Sequence, residues 1–126
     1  MYKVGDKVVM AIEEGSGASR RIKISLKTKS DWIFPVEVIK VGRKYITVRK
    51  PSGIEFKFNI NDEYREVYEC GGADYRLYPT EDAVIEKFLA NALHSKIRSA
   101  FSSYGETNYS LTQLQEIAKI LNIKID

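Results

Sequence analysis

Few residues in this 126-residue chain have the chemistry of a catalyst: it holds one histidine, His94, and one cysteine, Cys70. A nucleophilic site needs an activating base and an orienting group beside the attacking atom, and His94 is the sole imidazole that could serve. Cys70 precedes Gly71-Gly72, whose amides could line an anion hole, but no third partner accompanies the pair. On a predicted helix His94 falls beside Asn91 and Arg98, away from the apolar stripe, and reads as solvent-facing. Asp62-Glu63 stand in a predicted turn, and Glu81-Asp82 are accounted for as first-turn helix residues. Gly15-x-Gly17 and Gly71-Gly72 lack the Lys-Ser/Thr that completes a phosphate loop. The expectation is a protein that is not an enzyme, with no catalytic residue, metal or cofactor.

Cations are the better signal. The net charge of +3 conceals a split: residues 1–60 carry 13 Lys/Arg against 6 Asp/Glu, a balance of +7, and residues 61–126 carry 7 against 11, a balance of −4. The first half should attract polyanions. Between Ser16 and Ser30 there is no acid, and Arg20, Arg21, Lys23, Lys27 and Lys29 fall within ten residues. If this segment is a strand, Ile22, Ile24 and Leu26 take one face. Arg21, Lys23, Lys27 and Lys29 then take the other at steps of roughly 7 Å between i and i+2 positions, a spacing able to follow a nucleic-acid backbone. Trp32 follows directly, and Arg43, Lys44, Tyr45 and Arg49 add cations and a stacking ring in a neighbouring hairpin. Lysines that merely guard an exposed sheet edge would give the same alternation.

These residues need elements to hold them. From Val4 to about Tyr78 the pattern is short, alternating and broken by turn residues. Strands are predicted at Lys7–Ile12, Arg21–Thr28, Phe34–Val41, Tyr45–Lys50, Ile54–Ile60, Tyr64–Glu69 and Tyr75–Tyr78. Such spacing suggests a small antiparallel barrel over residues 1–79. After Pro79 the period becomes helical. Thr80 is a predicted N-cap, and Ile85, Leu89, Leu93, Ile97 and Phe101 repeat along one side, widened by Val84 and Phe88. Ser110 and Gln113 form a capping box for a second helix with Leu111, Leu114, Ile117 and Leu121 on its apolar face. That helix looks like half of a helix-turn-helix, but only three residues follow Ile123, so major-groove reading by this route is rejected. Residues 80–126 are expected to form a two-helix hairpin packed on the barrel as one cooperative unit, giving an α+β fold. No apolar run approaches the roughly 20 residues of a membrane span. The charged start at Lys3, Asp6 and Lys7 is unlike a signal peptide, and a single cysteine suits a reducing cytoplasm.

Val4-Gly5-Asp6-Lys7-Val8, and later Val38 through Val48, resemble the opening and central hairpin of SH3-like small barrels. Tyr75-Arg76-Leu77-Tyr78-Pro79-Thr80-Glu81-Asp82, with the ending Ser110-Leu111-Thr112-Gln113-Leu114, resembles small β-barrel proteins of bacteriophages and mobile elements of Gram-positive bacteria. The resemblance implies a stoichiometric binder acting in the bacterial cytoplasm. Its target would be a nucleic acid or a host nucleoprotein complex, such as a defence nuclease inhibited in anti-CRISPR fashion. The competing expectation is a protein-only regulatory module, including a homodimer formed through the C-terminal helices.

Overall fold

Alternating apolar residues build a barrel in the computed structural model, which describes residues 1–67, 73–101 and 109–123. Six strands, β1 (Lys7–Ile12), β2 (Ile33–Val41), β3 (Tyr45–Arg49), β4 (Glu55–Asn59), β5 (Arg65–Glu66) and β6 (Tyr75–Tyr78), pair in sequence order. All pairings are antiparallel, and β1 pairs with β6 to close the sheet. Period-2 burial drives this: Ile46 and Val48 of β3 are buried while Tyr45, Thr47 and Arg49 between them point outward. Val8, Met10, Val36, Val38, Phe58 and Leu77 complete the interior cluster, with Phe58 wholly buried.

Two departures from the expected pattern have local causes. Ile54, expected to open a strand, is exposed because it closes a turn rather than starting β4. Gly53 there takes φ +97°, a value that disfavours a side chain, and its N–H donates to Lys50 O at 2.9 Å. β5 begins only at Arg65, because Glu63 and Tyr64 adopt left-handed backbone that interrupts the strand. The far end of that predicted strand, with Cys70, lies outside the described residues.

The larger correction concerns residues 21–28, which are not a strand. The stretch from Ala18 to Trp32 contains two 3₁₀ turns, Ala18–Arg20 and Leu26–Thr28, and the short helix α1 (Lys29–Trp32). Ile22 and Ile24 alternate because both are anchors on a second apolar cluster of Ala11, Ile12, Trp32, Ile33 and Val84. Trp32 Nε1 donates to Ser25 O at 3.0 Å, and Thr28 Oγ1 donates to Lys23 O at 2.6 Å, so the segment bends back on itself. With the barrel closed and these residues off the sheet, their lysines guard no strand edge.

Helix α2 (Glu81–Ala100) starts where Thr80 Oγ1 accepts from Ala83 N at 3.1 Å, as a Thr N-cap should. Its first two turns join the second cluster: Val84 is buried, Ile85 and Phe88 pack on it, and Phe88 meets Trp32 with ring centroids 5.5 Å apart. The continuation expected to be apolar and buried is not: Leu89 and Ile97 are each 48% exposed. The face bearing Val84 and Phe88 is the one turned to the barrel, and Leu89 lies off it.

The chain divides into two compact units, Met1–Leu89 and Ala90–Asp126, with the boundary inside α2. The second unit contains α3 (Leu111–Leu121). Its predicted capping box is present: Gln113 N donates to Ser110 Oγ at 3.1 Å and Ser110 N to Gln113 Oε1 at 2.9 Å. Asn122 in left-handed backbone ends the helix.

Candidate nucleic-acid interface

The pairing register of three strands decides which side chains share the outer wall of the barrel. Lys40 of β2 pairs with Thr47 of β3, which pairs with Lys57 of β4. Next along, Tyr45 pairs with Asn59, and on the other side Arg49 stands between Glu37 and Glu55. A register shift between Val38 and Lys40 turns Lys40 outward, where uninterrupted alternation from buried Val38 would have sent it in. The hairpin Gly42-Arg43-Lys44 links β2 to β3, and Gly42 N donates to Tyr45 O at 2.9 Å. A side chain at Gly42 would sit 3.3 Å from that same oxygen, so a small residue suits this turn.

This wall has two electrostatic halves. In the first, Arg49 Nη2 lies 3.1 Å from Glu55 Oε2 and Lys7 Nζ 2.7 Å from Glu37 Oε1, so charges cancel. The hydrogen bond from the Lys7 ammonium also lowers the Glu37 carboxyl from its ordinary value, which favours the carboxylate. In the second half, Lys40, Arg43, Lys44 and Lys57 line a shallow cavity of about 290 Å³ with Tyr45 and Thr47. None of these four cations makes an ion pair among the described residues. Lys44 Nζ stands 5.5 Å and Lys57 Nζ 5.2 Å from the Tyr45 ring centroid, so the ring gathers two ammonium groups through its π face. Four uncompensated cations around one aromatic ring can bind phosphates and meet a base.

The ten residues expected to make contact therefore divide. Arg43, Lys44 and Tyr45 come together as described. Arg49 is outside this cavity and its charge is met by Glu55. Arg20, Arg21, Lys23, Lys27 and Lys29 are exposed, but on an irregular segment without the regular repeat a strand would give. Trp32 is a correction: at 2% exposure, hydrogen-bonded to Ser25 and packed on Phe88, it offers no ring face to a ligand. Lys40 and Lys57 were missed. Lys57 is legible as outward between Phe56 and Phe58, but its proximity to Tyr45 depends on a register that no local pattern shows.

His94 is exposed, and among the described residues no cluster of three or more His, Cys, Asp or Glu could hold a metal ion. No helix among them is long and apolar enough to cross a membrane. No curated protein and no solved structure matches the chain. A family model does: it covers residues 1–124, nearly the whole length, and by that match the chain belongs to the phage ProQ C-terminal-like domain family.

Proposed function

We propose that this domain binds nucleic acid without catalysing a reaction, using the wall formed by Lys40, Arg43, Lys44, Tyr45 and Lys57. The observation that carries the proposal is the set of four cations, unpaired among the described residues, around the Tyr45 ring. Phosphate contacts of this kind are insensitive to sequence, so the domain should prefer charge density and unstacked bases over a particular sequence. Membership of a phage domain family supports a role in the cytoplasm of an infected bacterium, on a nucleic acid or a host nucleoprotein complex. Stoichiometric inhibition of a defence nuclease, in anti-CRISPR fashion, is the finer form of this reading, as is an SH3-like descent of the barrel.

The test is fluorescence anisotropy with labelled single-stranded oligonucleotides of mixed sequence. Wild type should bind, and Lys44→Gln with Lys57→Gln should bind more weakly with the fold unchanged. Equal affinity of the two proteins would overturn the assignment. The protein-only reading has its own support, in the exposed Leu93, Ile97, Ile120 and Leu121 of the second unit, which suit a partner or a second copy. Pull-down from host lysate with and without nuclease separates the two: a partner retained after digestion and lost on Leu93→Ser favours the helices.

A further inference from the structure

Away from the basic wall, a second cavity of about 580 Å³ is lined by three tyrosines, Tyr2, Tyr64 and Tyr78, together with Asp6 and Glu63. Tyr2 and Tyr64 meet edge to face, centroids 5.1 Å apart and planes at 73°, so their rings stand as two walls of a corner. Glu63 and Tyr64 are consecutive non-glycine residues in left-handed backbone, at φ 54° and 60°. Such strain persists where surrounding structure enforces it, and it gathers at binding sites. Here the enforcing contacts are ionic: Glu63 Oε2 accepts from Arg76 Nη2 at 2.8 Å and lies 3.1 Å from Arg65 Nη2.

Charge decides what the corner can hold. Besides the Met1 amino group, which offsets one carboxylate, two cations, Lys7 and Arg76, line the cavity, and each of these is already engaged. Lys7 Nζ is 2.7 Å from Glu37. Arg76 and Arg65 share Glu13, Asp62 and Glu63, two guanidiniums against three carboxylates, which leaves one net negative charge. Asp6 adds another, and its Oδ2 accepts the Lys3 amide at 2.8 Å, which fixes its position. Burial pushes the Tyr2 phenol up to about 12, so its ring stays neutral and keeps its negative π face across physiological pH.

From these contacts we infer that this cavity is an aromatic cage for a methylated ammonium group carried on a flexible stem, as on a methylated lysine side chain of a protein partner. A quaternary ammonium is attracted to tyrosine faces and to nearby carboxylates, yet needs no hydrogen-bond acceptor, which matches three rings and two acids. An open volume of this size leaves room for the stem as well as the head group. The site shares no residue with the nucleic-acid wall, so either assignment can fail alone.

The deciding experiment titrates native isotope-labelled protein with four small probes: an acetylated trimethyl-lysine amide, choline, the unmethylated lysine derivative, and the neutral carbon isostere 3,3-dimethylbutanol. The cage predicts shifts of the Tyr2 and Tyr64 signals with the trimethyl-lysine derivative, and binding of the neutral isostere weaker by about 2- to 30-fold. An isostere that binds equally well, or no response to the trimethyl-lysine derivative at millimolar concentration, overturns the cage. Choline binding as tightly as the lysine derivative supports the cage and overturns the side chain as its occupant. Tyr2→Phe should retain binding and Tyr2→Leu should lose it. If Tyr2→Leu fails to fold, the comparison of probes on the native protein still decides.

Discussion

Salt dependence gives the basic wall a quantitative signature. Suppose Lys40, Arg43, Lys44 and Lys57 each neutralise one phosphate when nucleic acid enters the cavity they line. Counterion release then sets the slope of log K against log salt at about −2.8 for a single strand and about −3.6 for a duplex. A fourfold rise in salt weakens binding by about 50-fold in the first case and about 150-fold in the second. Replacing Lys44 and Lys57 together by glutamine removes two contacts and flattens the slope by about 1.4 for a single strand. Arg49→Gln is the internal control on the same sheet. Its charge is met by Glu55 at 3.1 Å, so the slope should move by much less than one contact's worth. The assay is anisotropy of a labelled oligonucleotide across a salt series for the three proteins. A slope unchanged by the double substitution would refute the reasoning. If Lys23→Gln, Lys27→Gln and Lys29→Gln flatten it instead, the contact belongs to the irregular segment after β1.

Three further outcomes follow from burial and hydrogen bonding. Phe58→Ala, at a wholly buried position, should cost about 3–5 kcal/mol by denaturant unfolding, whereas Leu89→Ala, half exposed, should change stability by about 0.5 kcal/mol or less. Trp32→Phe keeps an aromatic ring beside Phe88 but removes the Nε1 donor to Ser25 O. It should cost about 1 kcal/mol or more and speed proteolysis between Ile22 and Thr28. Burial raises the Tyr2 phenol from 10.0 to about 12, so the unfolded chain releases this proton at lower pH than the folded one. Stability should therefore fall as pH rises from 10.0 to about 12, with about 1 kcal/mol of the fall due to Tyr2 once its partial exposure is discounted. Tyr2→Phe should reduce the fall by that amount, leaving the share of Tyr75 and Tyr78, which burial also raises.

What could be read from sequence followed from how local each cause is. The strands of β1, β2, β3 and β6 were legible because alternation of apolar residues is itself the signal of a one-sided wall. The capping box of Ser110 and Gln113 was legible because its two hydrogen bonds span three residues. Residues 21–28 misled for a tertiary reason. Ile22 and Ile24 alternate as anchors on a cluster completed by Val84 and Phe88, some sixty residues later. Trp32 misled in the same way, since its neighbours in the core come from a distant helix. Within the candidate site, Arg43, Lys44 and Tyr45 were visible as consecutive residues. Lys40 was hidden by the register shift that turns it outward, and Lys57 by a cross-strand pairing. The length of α2 was predictable from its period, but which of its apolar residues the barrel would cover was not.

The most direct test of the central claim is amide chemical-shift mapping of isotope-labelled protein titrated with a single-stranded oligonucleotide at low salt. The largest shifts should fall on Lys40, Arg43, Lys44, Tyr45, Thr47 and Lys57, the residues around the basic cavity. Shifts confined to Ala90–Ile123, or a spectrum that does not respond to the oligonucleotide, would contradict it.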